Sequence, residues 1–186
     1  MGLLSILLAS TPTLASINHH NISTITEIQE FYRNKGAVYP KIPSKEYDLA
    51  FNTIYTSPQT TLNRGFGVCD DLSLLTAYML LNVPYITEID LIQVTGEVSG
   101  KQATHAYLVF KDTTGLWGYA NNNDVSSTTY LTKGQALLRP IRISGIRTGV
   151  PYFSISERKI NYQGTWVYDD NAASKLNPTT THPTLP

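Results

Sequence analysis

The hydrophobic and polar positions divide the chain into a helical first half and an extended second half. Thr24 with Glu27 three residues later has the form of a capping box, and Ile25, Ile28, Phe31 and Tyr32 follow at helical spacing. That pattern predicts a helix from Thr24 to Lys35, stopped by Gly36. The Pro40 to Pro43 stretch reads as a turn, after which Ser44 caps a second helix carrying Tyr47, Leu49, Ala50, Phe51 and Ile54. Ser57-Pro58 supplies an N-cap followed by proline at the first helical position, predicting a short helix through Asn63. Cys69 to Leu81 reads CDDLSLLTAYMLL, and its second half is apolar on nearly every side. Such a helix is buried within a domain rather than laid on its surface, and Pro84 stops it from running on.

Beyond Pro84 the texture changes. Ile86 to Thr95, Ala103 to Phe110 and Leu116 to Asn121 are short, rich in β-branched and aromatic residues and separated by turn residues, so strands are expected. Thr113-Thr114-Gly115 reads as a hairpin turn between the last two. Weaker strands are expected at Leu138–Ile143, Val150–Ile155 and Thr165–Tyr168. The closing NPTTTHPTLP has nothing to bury, so residues 171–186 read as a disordered tail. Helices first and an antiparallel sheet after make an α+β arrangement, with one domain over residues 21–170.

Composition narrows the function. The 14 basic and 14 acidic side chains cancel, and charged residues make up only 15% of the 186. Without a basic footprint, no nucleic-acid partner is expected. No apolar run reaches the ~18 residues that would span a bilayer. Residues 1–20 stand apart as a leader. Leu3–Ala9 followed by Thr13-Leu14-Ala15 resembles a secretory signal, but the first basic side chain is Arg33, and an ordinary packing segment is the competing reading. Localisation is thus left between cytoplasmic and secreted.

Cys69 is the only cysteine, which excludes an internal disulfide and a CxxC zinc knuckle. It stands where the glycine-bearing loop Arg64-Gly65-Phe66-Gly67 enters the buried helix, and unpaired N–H groups there are expected to lower its pKa. Asp70 and Asp71 oppose that effect if they point inward. A thiolate needs a partner. His19, His20 and His182 lie in or beside the two ends, whereas His105 lies inside the strand ATHAYLVF, where a packed scaffold would fix its ring. Alternation puts His105, Tyr107 and Val109 on one face, and Ala106, Leu108 and Phe110 on the other. A third polar group to orient the imidazole should come from the adjoining strand, LWGYANNND. Asn121 shares a face with Trp117 and Tyr119 and is favoured; Asn122 and Asp124 are alternatives. The same NNND run also reads as a plain turn, and it lacks the glycine and terminal Glu of an EF-hand loop, so no metal is assigned.

SPQTTLNRGFGVCDDLSLLTAYMLLNVPY resembles the nucleophile segment of transglutaminase-like cysteine peptidases, in which Thr-Leu-x-x-Gly-x-Gly-x-Cys-x-Asp opens a long apolar helix. THAYLVFKDTTGLWGYANNN resembles that superfamily's His-Ala-aromatic strand, its hairpin and the strand end bearing the third catalytic residue. The resemblance covers about Thr53 to Asp124. It implies a papain-like α+β fold, with Cys69 at the N-terminus of a central helix packed against an antiparallel sheet carrying His105 and Asn121. The superfamily usually has Asp as third member; here the equivalent position is Asn121 or, by one residue, Ala120. The implied activity is hydrolysis of peptide or isopeptide bonds through a thioester, with Cys69 as nucleophile, His105 as base and a protein or peptide as substrate. That chemistry needs no cofactor. The Cys69 N–H with Gln59 or Tyr55 would form the oxyanion hole. Two alternatives accompany this reading. One is acyl transfer, either protein crosslinking or the arylamine N-acetyltransferase kind, whose Arg-Gly-Gly-x-Cys resembles Arg64–Cys69 with one insertion. The other is a binding module of the same fold with impaired catalysis.

Overall fold

The computed structural model describes residues 22–34, 36–39 and 58–160. The expected leader, the helix after Ser44, Tyr55, the strand at Thr165–Tyr168, the tail, and His19, His20 and His182 lie outside the described residues. Among the described residues three helices come first: α1 (Ile25–Arg33), α2 (Pro58–Arg64) and α3 (Cys69–Leu80). Then follow β1 (Ile86–Val98), β2 (Lys101–Asp112), β3 (Trp117–Asn121), β4 (Asp124–Val125), α4 (Lys133–Ser144) and β5 (Ser154–Lys159). The strands form one antiparallel sheet in the order β4-β3-β2-β1-β5. The arrangement is α+β, with the helix that begins at Cys69 packed on the sheet.

The capping box at α1 is complete. Glu27 N–H donates to Thr24 Oγ1 at 3.2 Å, and the Glu27 carboxylate accepts from the Thr24 N–H at 2.9 Å. Alternation along β2 sorts its side chains into two cores. Ala106, Leu108 and Phe110 meet Leu72, Leu75 and Met79 of α3 with Ile28 of α1. Tyr107 and Val109 face Ala136 and Ile141 of α4 with Ile92, Val94 and Tyr119. Both faces of the strand are therefore covered, which is why ATHAYLVF is apolar at consecutive positions instead of alternating with polar ones. Full burial of each large side chain contributes about 1.5–3 kcal/mol. Gly118 on β3 makes room for this packing, because a Cβ there would stand 2.6 Å from the Phe110 ring.

The β2–β3 hairpin turns where expected. Asp112 Oδ1 accepts from the Thr114 N–H at 2.9 Å, the Thr114 hydroxyl at 2.6 Å and the Leu116 N–H at 3.1 Å, and Gly115 takes φ +90°. One expectation is overturned: Leu138–Ile143 is not a strand but the second half of α4. Its β-branched residues and Pro140 suggested extended chain, yet the deciding signals lie at the helix ends. Thr132 and Gln135 form a capping box, and Gly145 closes the helix in the left-handed region at φ +72°. The strand expected at Val150–Ile155 instead begins at Ser154 and runs to Lys159. The two-residue β4, pairing Asn121 with Asp124, carries too short a pattern to be foreseen. Among the described residues, no helix is long and apolar enough to cross a membrane.

Candidate active site

The loop into α3 is shaped before the nucleophile is reached. Gly65 adopts φ +71°, and the loop is pinned by the Val38 N–H donating to Gly65 O at 3.0 Å and the Gly67 N–H donating to Val38 O at 3.2 Å. Gly67 cannot carry a side chain without movement, since a Cβ would lie 2.7 Å from Asp71 Cβ and 2.9 Å from Thr61 Cγ2. The buried Asp71 carboxylate accepts the Val68 N–H at 3.2 Å, closing the first turn. Cys69, half-buried, is the first residue of the helix.

The backbone N–H groups of Ala106, Asp70 and Cys69 itself stand near enough to the sulfur to lower the thiol pKa. The first of these belongs to β2, next to His105, so the helix start and the histidine strand converge at the sulfur. The two helix amides lower the thiol pKa as the sequence suggested, but they lose to opposing effects. Burial, and secondarily the charge of Asp70, push the Cys69 thiol up to about 11. The expected depression is thereby corrected: thiolate is disfavoured at rest. Asp70 is itself held above the usual carboxylate range, first by burial and then by the charge of Asp71.

His105 and Asn121 share the sheet face opposite α3, Asn121 near the end of β3 and His105 on the part of β2 that β3 does not cover. His105 Nε2 lies 2.6 Å from Asn121 Oδ1. Because a carbonyl oxygen only accepts, Nε2 carries the proton and Nδ1 keeps its lone pair. Burial pulls the His105 pKa below its ordinary value, and the Asn121 bond raises it by a lesser amount. The ring also stacks on Tyr107, with centroids 6.0 Å apart, and Tyr107 in turn donates its hydroxyl to Leu137 O of α4 at 2.8 Å.

The remaining candidates have other surroundings. The Asn122 Oδ1 is buried with no hydrogen-bond partner among the described residues, at a left-handed φ of +54°. Asp124 is exposed and accepts the Tyr119 hydroxyl at 3.0 Å. The Gln59 side chain donates to Asn63 Oδ1 at 2.8 Å, an i to i+4 pair on α2. Ala120 is buried among apolar side chains.

Three contributors escaped the sequence reading. The Ala106 amide carries no side-chain signal, and the Tyr107 stack needs a known rotamer. Asn123 donates to Ala37 O at 2.7 Å and accepts the Tyr39 N–H at 2.9 Å. It thereby fastens the turn after Asn121 to the segment that pins the loop before Cys69.

A family model described as a transglutaminase-like domain matches residues 12–116. The matched stretch includes Cys69 and His105 and ends before Asn121. A search of curated proteins finds no match.

Proposed function

The chain belongs to the transglutaminase-like domain family, and on that premise we propose that it is a cysteine hydrolase of peptide or isopeptide bonds working through Cys69, His105 and Asn121. The observation that carries this reading is the 2.6 Å contact between His105 Nε2 and Asn121 Oδ1, because it leaves Nδ1 free to act as a base on the strand whose next amide, that of Ala106, lowers the Cys69 thiol pKa. In the first step Nδ1 takes the thiol proton while sulfur attacks the substrate carbonyl. The Cys69 N–H is the donor assigned to the developing oxyanion. The imidazolium then protonates the leaving amine, and a thioester remains. Water, deprotonated by the same Nδ1, releases the acid and restores the thiol.

One observation favours a second reading. A thiol held near 11 also suits a module that keeps the fold and binds without reacting. Acyl transfer to an amine shares the thioester and differs only in the acceptor. Incubation with casein and dansylcadaverine separates the three. Hydrolysis gives casein fragments without fluorescence, lost in Cys69→Ala and His105→Ala; fluorescent casein means transfer, and unchanged casein means binding only. Within the hydrolase reading, Asn121→Ala is expected to slow turnover by about a hundredfold, the low end for a disabled general base. Asn122→Ala or Asp124→Ala slowing it more would reassign the third member.

A further inference from the structure

The β1–β2 hairpin outruns the rest of the sheet on one side only. Its pairing with itself continues without irregularity from Ile89↔Phe110 to Val98↔Lys101. The β1 edge is covered: β5 pairs from Asp90↔Lys159 to Thr95↔Ser154, and the Arg147 N–H donates to Glu97 O beyond it. The β2 edge is not, because pairing with β3 stops at Leu108↔Ala120. Among the described residues, Lys101–His105 make no backbone hydrogen bond beyond the β1 ladder.

The direction of these free groups follows from two bonds at the far end of β2. The Asp112 N–H donates to Leu116 O on the β3 side, whereas the Thr113 N–H donates to Tyr85 O on the β1 side. In a regular strand, successive residues alternate in the side to which they send both N–H and C=O. Gln102, Thr104 and Ala106 therefore face the open edge. The Ala106 N–H is consistent with this, since it acts on the Cys69 thiol and lowers its pKa. Gln102 and Thr104 continue the row, about 14 Å and 7 Å from that point at ~3.4 Å per residue.

We propose that this edge is the substrate's docking rail: an extended peptide adds to β2 as a further strand, pairing with the outward N–H and C=O groups of Thr104 and Gln102, and so delivers its next carbonyl to Cys69. The inference rests on the hydrolase reading and adds a substrate class to it, an unfolded or extended segment rather than a small amine or an isolated crosslink. A natural sheet protects its edges from pairing, and here the unprotected one leads to the sulfur while its counterpart is closed. Main-chain pairing supplies affinity with little sequence demand, and side chains of alternate substrate residues would meet the two faces of the rail.

Two measurements test it. The first compares labelling of Cys69 by acetyl-Val-Thr-Val-Ala chloromethyl ketone with labelling by iodoacetamide, which is too small to use the rail. Thr104→Pro deletes an outward N–H and leaves the β1 ladder intact, a placement proline tolerates on an edge. It should slow the peptide reagent about fivefold, the worth of one backbone hydrogen bond. Iodoacetamide should react unchanged, and Thr104→Val should match the parent with both. Equal peptide rates in the parent and Thr104→Pro, or equal slowing of both reagents, would overturn the proposal. The second uses Cys69→Ala, where chemistry is absent: saturating acetyl-Val-Thr-Val-Ala amide should protect the Gln102 and Thr104 amides from hydrogen exchange. Protection that instead grows with protein concentration alone, with doubled mass in sedimentation, would make the edge a contact between copies and refute it. A peptide-reagent rate unaffected by His105→Ala would count against the hydrolase reading, while the exchange result would still judge the rail.

Discussion

Replacing Asn121 by Asp puts a charge where a neutral carbonyl now holds the imidazole, and the consequence can be worked out. Cys69 near 11 and His105 below 6.5 keep the proton on sulfur. Moving it to the imidazole costs at least roughly 6 kcal/mol at about 1.36 kcal/mol per pH unit. Opposite charges brought to about 4 Å during the transfer would recover about 4 kcal/mol at an effective dielectric near 20. The neutral thiol–imidazole pair is therefore the resting state, by a margin of roughly 2 kcal/mol. A carboxylate taking the place of Oδ1, which lies 2.6 Å from Nε2, stabilises imidazolium by about 1–3 pH units. That is enough to bring the ion pair level with the neutral pair or to invert the order. Following the His105 Cε1–H resonance through a pH titration measures the imidazole directly. In the parent it should titrate below 6.5, in Asn121→Asp above it, and alkylation of Cys69 by iodoacetamide at neutral pH should accelerate. An unmoved or lowered His105 titration in Asn121→Asp, or an equal rise in Asn122→Asp, would refute the assignment of Asn121 as the orienting group.

Asp70→Asn removes the charge that assists burial in raising the thiol, so the pH midpoint of Cys69 alkylation should fall from about 11 yet stay above 9, since burial is the larger cause. On the other face, Asp90 is fully buried on β1 with Oδ2 2.7 Å from Lys133 Nζ, and Lys133 also bonds Glu157. Lys133→Met should cost about 3 kcal/mol in urea unfolding, the low end for breaking a buried pair because Lys133 is a quarter exposed. Burial holds the Asp90 carboxyl above its ordinary range, so the folded state binds its proton more readily than the unfolded state and the penalty grows as pH rises. The loss in Lys133→Met should consequently be smaller at pH 4 than at pH 7. Asn122 takes φ +54°: Asn122→Gly should keep stability and turnover, whereas Asn122→Val should cost about 1–2 kcal/mol and slow turnover by displacing Asn121. Equal behaviour of the two variants would remove the turn from the account.

Local signals made the helices legible. The Thr24–Glu27 box, proline at the start of α2 and the apolar run after Cys69 each act within one or two turns, and the structure keeps all three. The Leu138–Ile143 error shows the limit of composition: β-branched residues and Pro140 outvoted end signals that were present at Thr132, Gln135 and Gly145. Pairing His105 with Asn121 was legible because a hairpin with a recognisable turn places them on one face. The state of the thiol was not, because it depends on what surrounds the sulfur. Helix amides favour thiolate, burial and Asp70 oppose it, and the packing around the sulfur decides between them.

That balance bears on how the site is built. Cys69 starts a helix packed on one face of the sheet, while His105 and Asn121 project from the opposite face. Two groups so placed cannot meet through the sheet; they can meet only where it ends. The end is made by the shortness of β3, which turns back at Asn122 with a left-handed φ and leaves the Ala106 N–H unpaired by any of the described strands. Had β3 continued by two residues in register, its backbone would have taken that N–H and stood between helix and imidazole. The same early turn leaves Thr104 and Gln102 open on the rail. The Asn121 contact with His105, access of the sulfur to the histidine strand and the free edge proposed to take an extended substrate thus share one structural origin, and lengthening β3 would remove them together.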